Sequence, residues 1–325
     1  MRRALVISTL LAAGCIPGVA QAQTAGAPAP AVAAPVPTTM TLTVDRVGGA
    51  RSTALVGSRL RLRGAAGAFA PGETVTVRFF IAGRKRASRR VALQPGAAGG
   101  GAIRLSYTPT RPGPLSIRVT HDASAALGAF VARARTVDVL PRSVTPRSGG
   151  VSIRALQRRL RRLGYVTGAA GSFDARTARA VLAFRKVTGM ARTTSASSEV
   201  MRALAKGKGR FAIRFPKHGR HIEADLSRQV VALIEGGRVR RIYPTSSGAP
   251  STPTILGSFK VYSKTPGTNA KGMVHSAYFI RGYATHGYAS VPIYPASHGC
   301  LRLPVPDAKP VFNWIRIGTP VDVYP

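Results

Sequence analysis

Cysteine is scarce: Cys15 and Cys300 are the only two in 325 residues. That excludes a disulfide framework and any Cys-rich zinc module. Carboxylates are also few, 11 Asp and Glu against 48 Lys and Arg, for a formal charge of +37 at pH 7. So strong a positive excess directs attention to polyanions: nucleic acid, an anionic membrane or an acidic wall polymer. Aromatic residues are only 6% of the chain. With no helix-turn-helix or stacking pattern beside them, no nucleic-acid partner is expected. No apolar run reaches the ~20 residues of a membrane span, so membrane contact is expected to be peripheral at most. Hydrophobic residues, by contrast, make up 45%. They exclude wholesale disorder and, at this length, imply two or three domains.

Residues 1–22 read as an export signal. Arg2 and Arg3 give the positive start, residues 4–14 a short apolar core, and Ala20-Gln21-Ala22 an A-x-A cleavage site. Leu11-Ala12-Ala13-Gly14-Cys15 resembles a lipobox, but its Leu stands one place too early. Lipid attachment at Cys15 therefore ranks below plain cleavage after Ala22. The expected location is outside the cytoplasm, in a bacterial cell wall or periplasm, with Cys300 as the remaining thiol.

Residues 23–38 are Ala/Pro-rich and uncharged, an extended linker. Residues 39–141 read as all-β. Segments 41–44, 59–63, 74–81, 103–107, 115–120 and 136–140 are strand-like, and Ala-Pro-Gly-Glu (70–73) and Arg-Pro-Gly-Pro (111–114) are turn signals. Six or seven short strands predict an immunoglobulin-like sandwich. Its one acid/base pair, His121 and Asp122, is adjacent on a strand and so points to opposite faces. Residues 142–150 form a second linker.

Residues 151–206 switch to helical spacing. Ile153, Leu156, Leu160 and Leu163 share one face, Asp174 is placed to cap a second helix, and 197–205 predicts a third. The run IRALQRRLRRLGYVTGAAGSFDARTARAVLAFRKVTGM resembles the three-helix peptidoglycan-binding domain over most of 151–190. Arg185 stands where that family usually has Gln, and the last third lacks the usual second Gly-containing turn.

Residues 210–325 are β-rich again, with Glu235-Gly236-Gly237-Arg238 as a hairpin turn, 239–243 and 257–262 as strands, and 319–324 as a final strand. The chemistry concentrates in 283–303, YATHGYASVPIYPASHGCLRL, which holds His286, His298, Cys300 and Arg302. A thiol is only a few per cent thiolate at neutral pH and needs an imidazole or a positive field to become a good nucleophile. His286 and His298 are the candidates for that task. Gly299 before Cys300 leaves room for two backbone N–H groups to meet a developing oxyanion, and Arg302 suits a substrate carboxylate. A zinc site of His286, His298 and Cys300 is the rival, but the His-x-Cys spacing is unusual for zinc and no acidic base lies nearby. A buried, inert Cys with two structural histidines is the other alternative. Chain order argues against a papain-like arrangement, since no His follows Cys300. Sortases share the order His, Cys, Arg but resemble a TLxTC motif with a distant His.

Ser297-His298-Gly299-Cys300 followed by Arg302, with the upstream Thr285-His286-Gly287, resembles the catalytic loop of the L,D-transpeptidase (YkuD-type) domain. The resemblance runs through most of 220–325. It includes ADLSRQVVALIEGGRVRRIYPTSSG, similar to the family's opening strands and Ser-Gly loop, and STPTILGSFKV, one residue longer than the family's TP-x-G-x-F spacing. It implies a mainly-β catalytic domain acting on peptidoglycan stem peptides without metal or organic cofactor. Cys300 would be the nucleophile, His286 its base and His298 a support that orients the loop. Gly299 and Cys300 would give oxyanion N–H groups, with Ser297 in support. The Gly287 carbonyl would fix the His286 tautomer, Arg302 would line the site, and Tyr278 or Tyr283 would contribute from a flap. Hydrolysis by the same thioester, or wall binding without catalysis, are the alternatives. The basic excess is even, 16, 15 and 15 residues in 39–141, 142–209 and 210–325. That spread suits adhesion to an anionic envelope polymer rather than one dedicated nucleic-acid module.

Overall fold

The computed structural model describes residues 34–45, 47 and 52–325. The export signal, Cys15 and most of the Ala/Pro-rich segment lie outside the described residues. Three regions follow one another: N-terminal β-sheets, three helices, and a β-rich C-terminal part. Among the described residues no helix is long and apolar enough to cross a membrane.

The first region has ten strands: β1 (Met40–Asp45), β2 (Thr53–Leu55), β3 (Leu60–Ala66), β4 (Thr74–Ile81), β5 (Arg84–Ala92), β6 (Gln94–Pro95), β7 (Gly101–Tyr107), β8 (Gly113–His121), β9 (Phe130–Arg133) and β10 (Val137–Leu140). They form two sheets, ordered β1-β3-β7-β6 and β2-β10-β8-β4-β5, with β9 on β8. Period-two alternation in β3, β4 and β8 turns Leu60, Leu62, Val75, Val77, Phe79, Leu115, Ile117 and Val119 into one shared core. Phe79 stacks on Tyr107 across it at 4.1 Å. The segment RKRASRRVA, too charged to read as a strand, is β5. It pairs antiparallel with β4 at the edge of its sheet, where charged side chains remain in water and discourage further pairing. His121 faces inward, its Nε2 2.9 Å from Glu73 and its Nδ1 3.1 Å from the Gly128 carbonyl.

The helices are α1 (Gly150–Arg162), α2 (Ala175–Val187) and α3 (Ser198–Ala205). Asp174 caps α2 by accepting the Thr177 N–H at 2.8 Å. Buried Gln157 gathers the α1–α2 loop through Ala169, Ser172, Thr177 and the Gly171 N–H. Arg185 is buried as well. It donates to the carbonyls of Ser195 and Ala191 and to Ser197 Oγ, and so organises the turn before α3 from within.

The C-terminal part contains β11 (His221–Asp225), β12 (Val230–Glu235), β13 (Arg238–Pro244), β14 (Gly257–Lys260), β15 (Ser263–Thr268), β16 (Val274–Ile280), β17 (Tyr283–Tyr288), β18 (Leu301–Pro304), α4 (Val305–Trp314) and β19 (Pro320–Tyr324). One sheet is ordered β13-β12-β11-β19-β14 and the other β15-β16-β17-β18. Gly236 and Gly237, both at positive φ, make the tight β12–β13 turn. Helix α4, hidden in the sequence by Pro306 and Pro310, packs against β16 and β17.

Strand β12, VVALIE, has no solvent face. Val231 and Leu233 enter the core between the two C-terminal sheets. Val230, Ala232 and Ile234 enter the core built by the helices, together with Ile242, Leu140 and Val144. The contact is reinforced at its rim: Arg176 and Arg179 of α2 pair with buried Asp307 at 3.0 and 3.2 Å. Asp138 of β10 pairs with Arg158 and Arg162 of α1. Ala232→Asp would place an unpaired carboxylate between sheet and helices, at a cost on the order of 3 kcal/mol. Thermal unfolding followed by circular dichroism should show the helical and C-terminal parts losing stability together, rather than the helices alone.

Candidate active site

Residues 297–304 enter the site by simple alternation. Leu301 and Leu303 face the core, so Arg302, and Cys300 one step before β18, face the other side. β18 runs parallel to β17, with His286 opposite Arg302 and Thr285 opposite Leu301. His286 therefore shares a face with Arg302 and, two residues on, with Tyr288. The Arg302 guanidinium stacks 4.2 Å over the Tyr288 ring, and the His286 ring meets that ring edge-on at 5.7 Å. Tyr288 is absent from the sequence reading, although its period-two spacing from His286 is the signal that would have found it.

His286 is buried, and its Nδ1 lies 2.9 Å from the Gly287 carbonyl. A carbonyl only accepts, so Nδ1 carries the hydrogen and Nε2 keeps its lone pair. Burial pulls the imidazole pKa down, partly opposed by that hydrogen bond and assisted by the Arg302 charge. Cys300 is half-buried, with Sγ 3.8 Å from the Gly282 carbonyl. Burial pushes its pKa up, against the Ala284 N–H and the charges of Arg302 and Lys271. The two shifts oppose ion-pair formation.

The loop carrying Cys300 is held from behind. Ser297 Oγ donates to the Cys300 carbonyl at 2.6 Å and accepts the Gly299 N–H at 3.1 Å. Thr254 Oγ1 donates to the Gly299 carbonyl and Thr252 Oγ1 to the Ser297 carbonyl. The Ser297 N–H bonds the Ser247 carbonyl, and the Ala249 N–H bonds the Ser297 carbonyl. Gly299 has φ +106°, and an added Cβ would sit 1.6 Å from Tyr283 Cε1. The Tyr283 ring thus lies directly on Gly299 and leaves room for no other residue. Tyr278 is opposite Ala284 in register, with its hydroxyl 3.4 Å from the Asn269 amide.

His298 is exposed and makes no hydrogen bond or ring contact among the described residues. The side chains that hydrogen-bond the loop are Ser297, Thr252 and Thr254. The Gly299 N–H is engaged by Ser297 Oγ at 3.1 Å. Among the described residues no three His, Cys, Asp or Glu side chains are grouped to hold a metal ion. A largely apolar cleft of about 400 Å³ lies behind the loop, lined in part by Gln229, Ser247, Pro253, Thr254 and Leu256, and does not include Cys300, His286 or Arg302.

Residues 219–323 match the L,D-transpeptidase catalytic domain family, and residues 149–204 match a peptidoglycan binding domain. The crystal structure of an L,D-transpeptidase from Xylanimonas cellulosilytica is 34% identical, covering 57% of this chain and 98% of that one with a TM-score of 0.51. L,D-transpeptidase 1 of Mycobacterium tuberculosis is 29% identical over 31% of this chain and 48% of that protein. The chain thus spans about half the length of the curated relatives it matches.

The opposed shifts give a pH prediction. With the thiol pKa raised, the thiolate fraction keeps climbing as pH passes the ordinary thiol value of about 8.5. Iodoacetamide labelling of Cys300, followed by mass spectrometry, should therefore still accelerate above about pH 9. A plateau near neutrality would mean a resident thiolate–imidazolium pair. Gly299→Ala should displace the loop from Tyr283 and, by lifting Cys300 out of its burial, speed labelling at neutral pH.

Proposed function

The chain belongs to the L,D-transpeptidase family, and from that premise we propose that it is a cysteine acyltransferase acting on peptidoglycan stem peptides. The observation that supports this most is the His286 tautomer: with Nδ1–H on the Gly287 carbonyl, Nε2 is an acceptor on the face that carries Cys300. The Cys300 thiol passes its proton to Nε2 as sulfur attacks the carbonyl carbon of the third stem residue, a diamino acid, at its L-centre. The carbonyl electron pair moves to oxygen, which the Cys300 N–H meets. Collapse breaks the C–N bond to the terminal D-Ala. Its nitrogen takes the proton from His286 and the amino acid leaves, with a thioester remaining on Cys300. An acceptor amine then attacks the thioester and gives a proton to His286. The C–S bond breaks and sulfur recovers that proton. No step calls for a metal or organic cofactor. Arg302, braced on Tyr288 and without a carboxylate partner among the described residues, is placed to hold a substrate carboxylate. Tyr283 and Tyr278 flank the same face. Water in place of the amine would make the enzyme an L,D-carboxypeptidase.

Such an enzyme works outside the cytoplasm, in keeping with the reading of residues 1–22 as an export signal. The helices would bind glycan, and the N-terminal sheets would be an immunoglobulin-like spacer with a second use. On their outer face Arg78, Arg118 and Arg133 stand in register across β4, β8 and β9, beside Arg90. Like charges directly opposite one another are unfavourable. The region's acids are committed elsewhere: Asp45 to Arg63, Glu73 to His121 and Asp138 to α1. Asp122 follows β8, exposed. An anionic wall polymer would relieve that repulsion.

Incubation with purified tetrapeptide muropeptides should yield dimers of defined mass, and Cys300→Ala should yield none. Unchanged dimer formation by that variant would sink the proposal, whereas shortened monomers alone would assign hydrolysis. For the spacer, replacing both Arg118 and Arg133 with Ser should lower the salt concentration that elutes the protein from isolated walls. Identical elution would remove the polymer from its partners.

A further inference from the structure

Lys186 of α2 takes no part in the chemistry above, yet it is 3% exposed. Its ammonium donates to the carbonyls of Gln229, at 3.1 Å, and Thr245, at 2.9 Å. Burial, with the nearby Arg192 charge, pulls its pKa down to about 7. An amine buried between two carbonyls, with no carboxylate beside it among the described residues, is expensive, and an apolar residue of that length would hold two modules together at less cost.

The two carbonyls lead to the two ends of the catalytic segment. On one side, Gln229 Oε1 accepts the Ser247 N–H at 2.9 Å and its Nε2 donates to Ser247 Oγ at 2.6 Å. The Ser247 carbonyl accepts the N–H groups of Ala296 and Ser297, and Ser297 Oγ bonds the Cys300 carbonyl. On the other side, Thr245 Oγ1 donates to the Arg302 carbonyl at 2.7 Å. Gln229 itself is held at φ +56°, a left-handed conformation that persists in a non-glycine residue only when its surroundings impose it. Arg192, just beyond α2, adds a parallel hold on the carbonyls of Ser227 and Ile293.

We propose that Lys186 is a positioning residue for Cys300: through Gln229 and Thr245 the helical module sets the placement of residues 297–302, and turnover depends on that module independently of any glycan it binds. This rests on the reading of Cys300 as the nucleophile. Misplacement by about 1 Å can cost on the order of 100-fold in rate, so a small shift is enough.

The test is steady-state kinetics of the whole chain with a tetrapeptide donor and an amine acceptor. Lys186→Met should lower kcat about 10-fold or more with KM within about twofold, the pattern of a lost transition-state arrangement rather than lost binding. Arg179→Met weakens a separate attachment of the module, at Asp307, and should leave kcat unchanged. Wild-type kcat in Lys186→Met, or an equal fall in Arg179→Met, overturns the proposal. Should Lys186→Met not fold, Thr245→Val decides in its place: a reduced kcat at unchanged KM supports the connection, and a wild-type kcat overturns it. Absence of turnover in the unsubstituted protein would instead overturn the nucleophile reading, and this proposal with it.

Discussion

Strand β12 is buried on both sides, and much of the molecule's organisation follows from that. A strand with one wet face alternates apolar and polar residues; VVALIE does not, because each face serves a different core. Removing the helices would expose Val230, Ala232 and Ile234 to water, so the helical module completes the catalytic part rather than hanging from it. Packing alone leaves some freedom for two surfaces to slide. The ion pairs at Asp307 and the Lys186 bonds to Gln229 and Thr245 remove it by adding direction to a contact that is otherwise only apolar.

Burial raises the thiol pKa and lowers that of the imidazole, so the site does not favour a resident thiolate–imidazolium pair. What the fold supplies in advance is geometry: a defined tautomer, a glycine at positive φ under Tyr283, and hydroxyls of Ser297, Thr252 and Thr254 saturating the loop's backbone.

Features set by neighbours in the chain were legible in the sequence. Asp174 caps its helix, the Gly236-Gly237 turn closes its hairpin, and β4 occupies residues 74–81 because alternation there is unbroken. Features set by distant partners were not. β5 is a strand because β4 and its edge position make it one, despite five cations in nine residues. α4 tolerates Pro306 because that residue stands at its opening turn, and Arg176 meets the Pro306 carbonyl that Pro310 cannot bond. The histidines show the same division. His298 is near Cys300 in the chain but turned to solvent, whereas His286, fourteen residues away, is brought opposite Arg302 by parallel pairing of β17 and β18. Lys186 looks like an ordinary helix-surface lysine until the sheet that buries it is present.

The two-sided strand also bears on how such proteins diversify. Helical wall-binding units are usually pictured as interchangeable parts that recombination can add or drop at a linker. Here the seam in the chain, near residue 209, is not the seam in the fold. A foreign helical unit would have to reproduce the relief that fits Val230, Ala232, Ile234 and Ile242. Divergence of this lineage would then proceed by paired substitutions across the seam, with the two units inherited together as one heritable block.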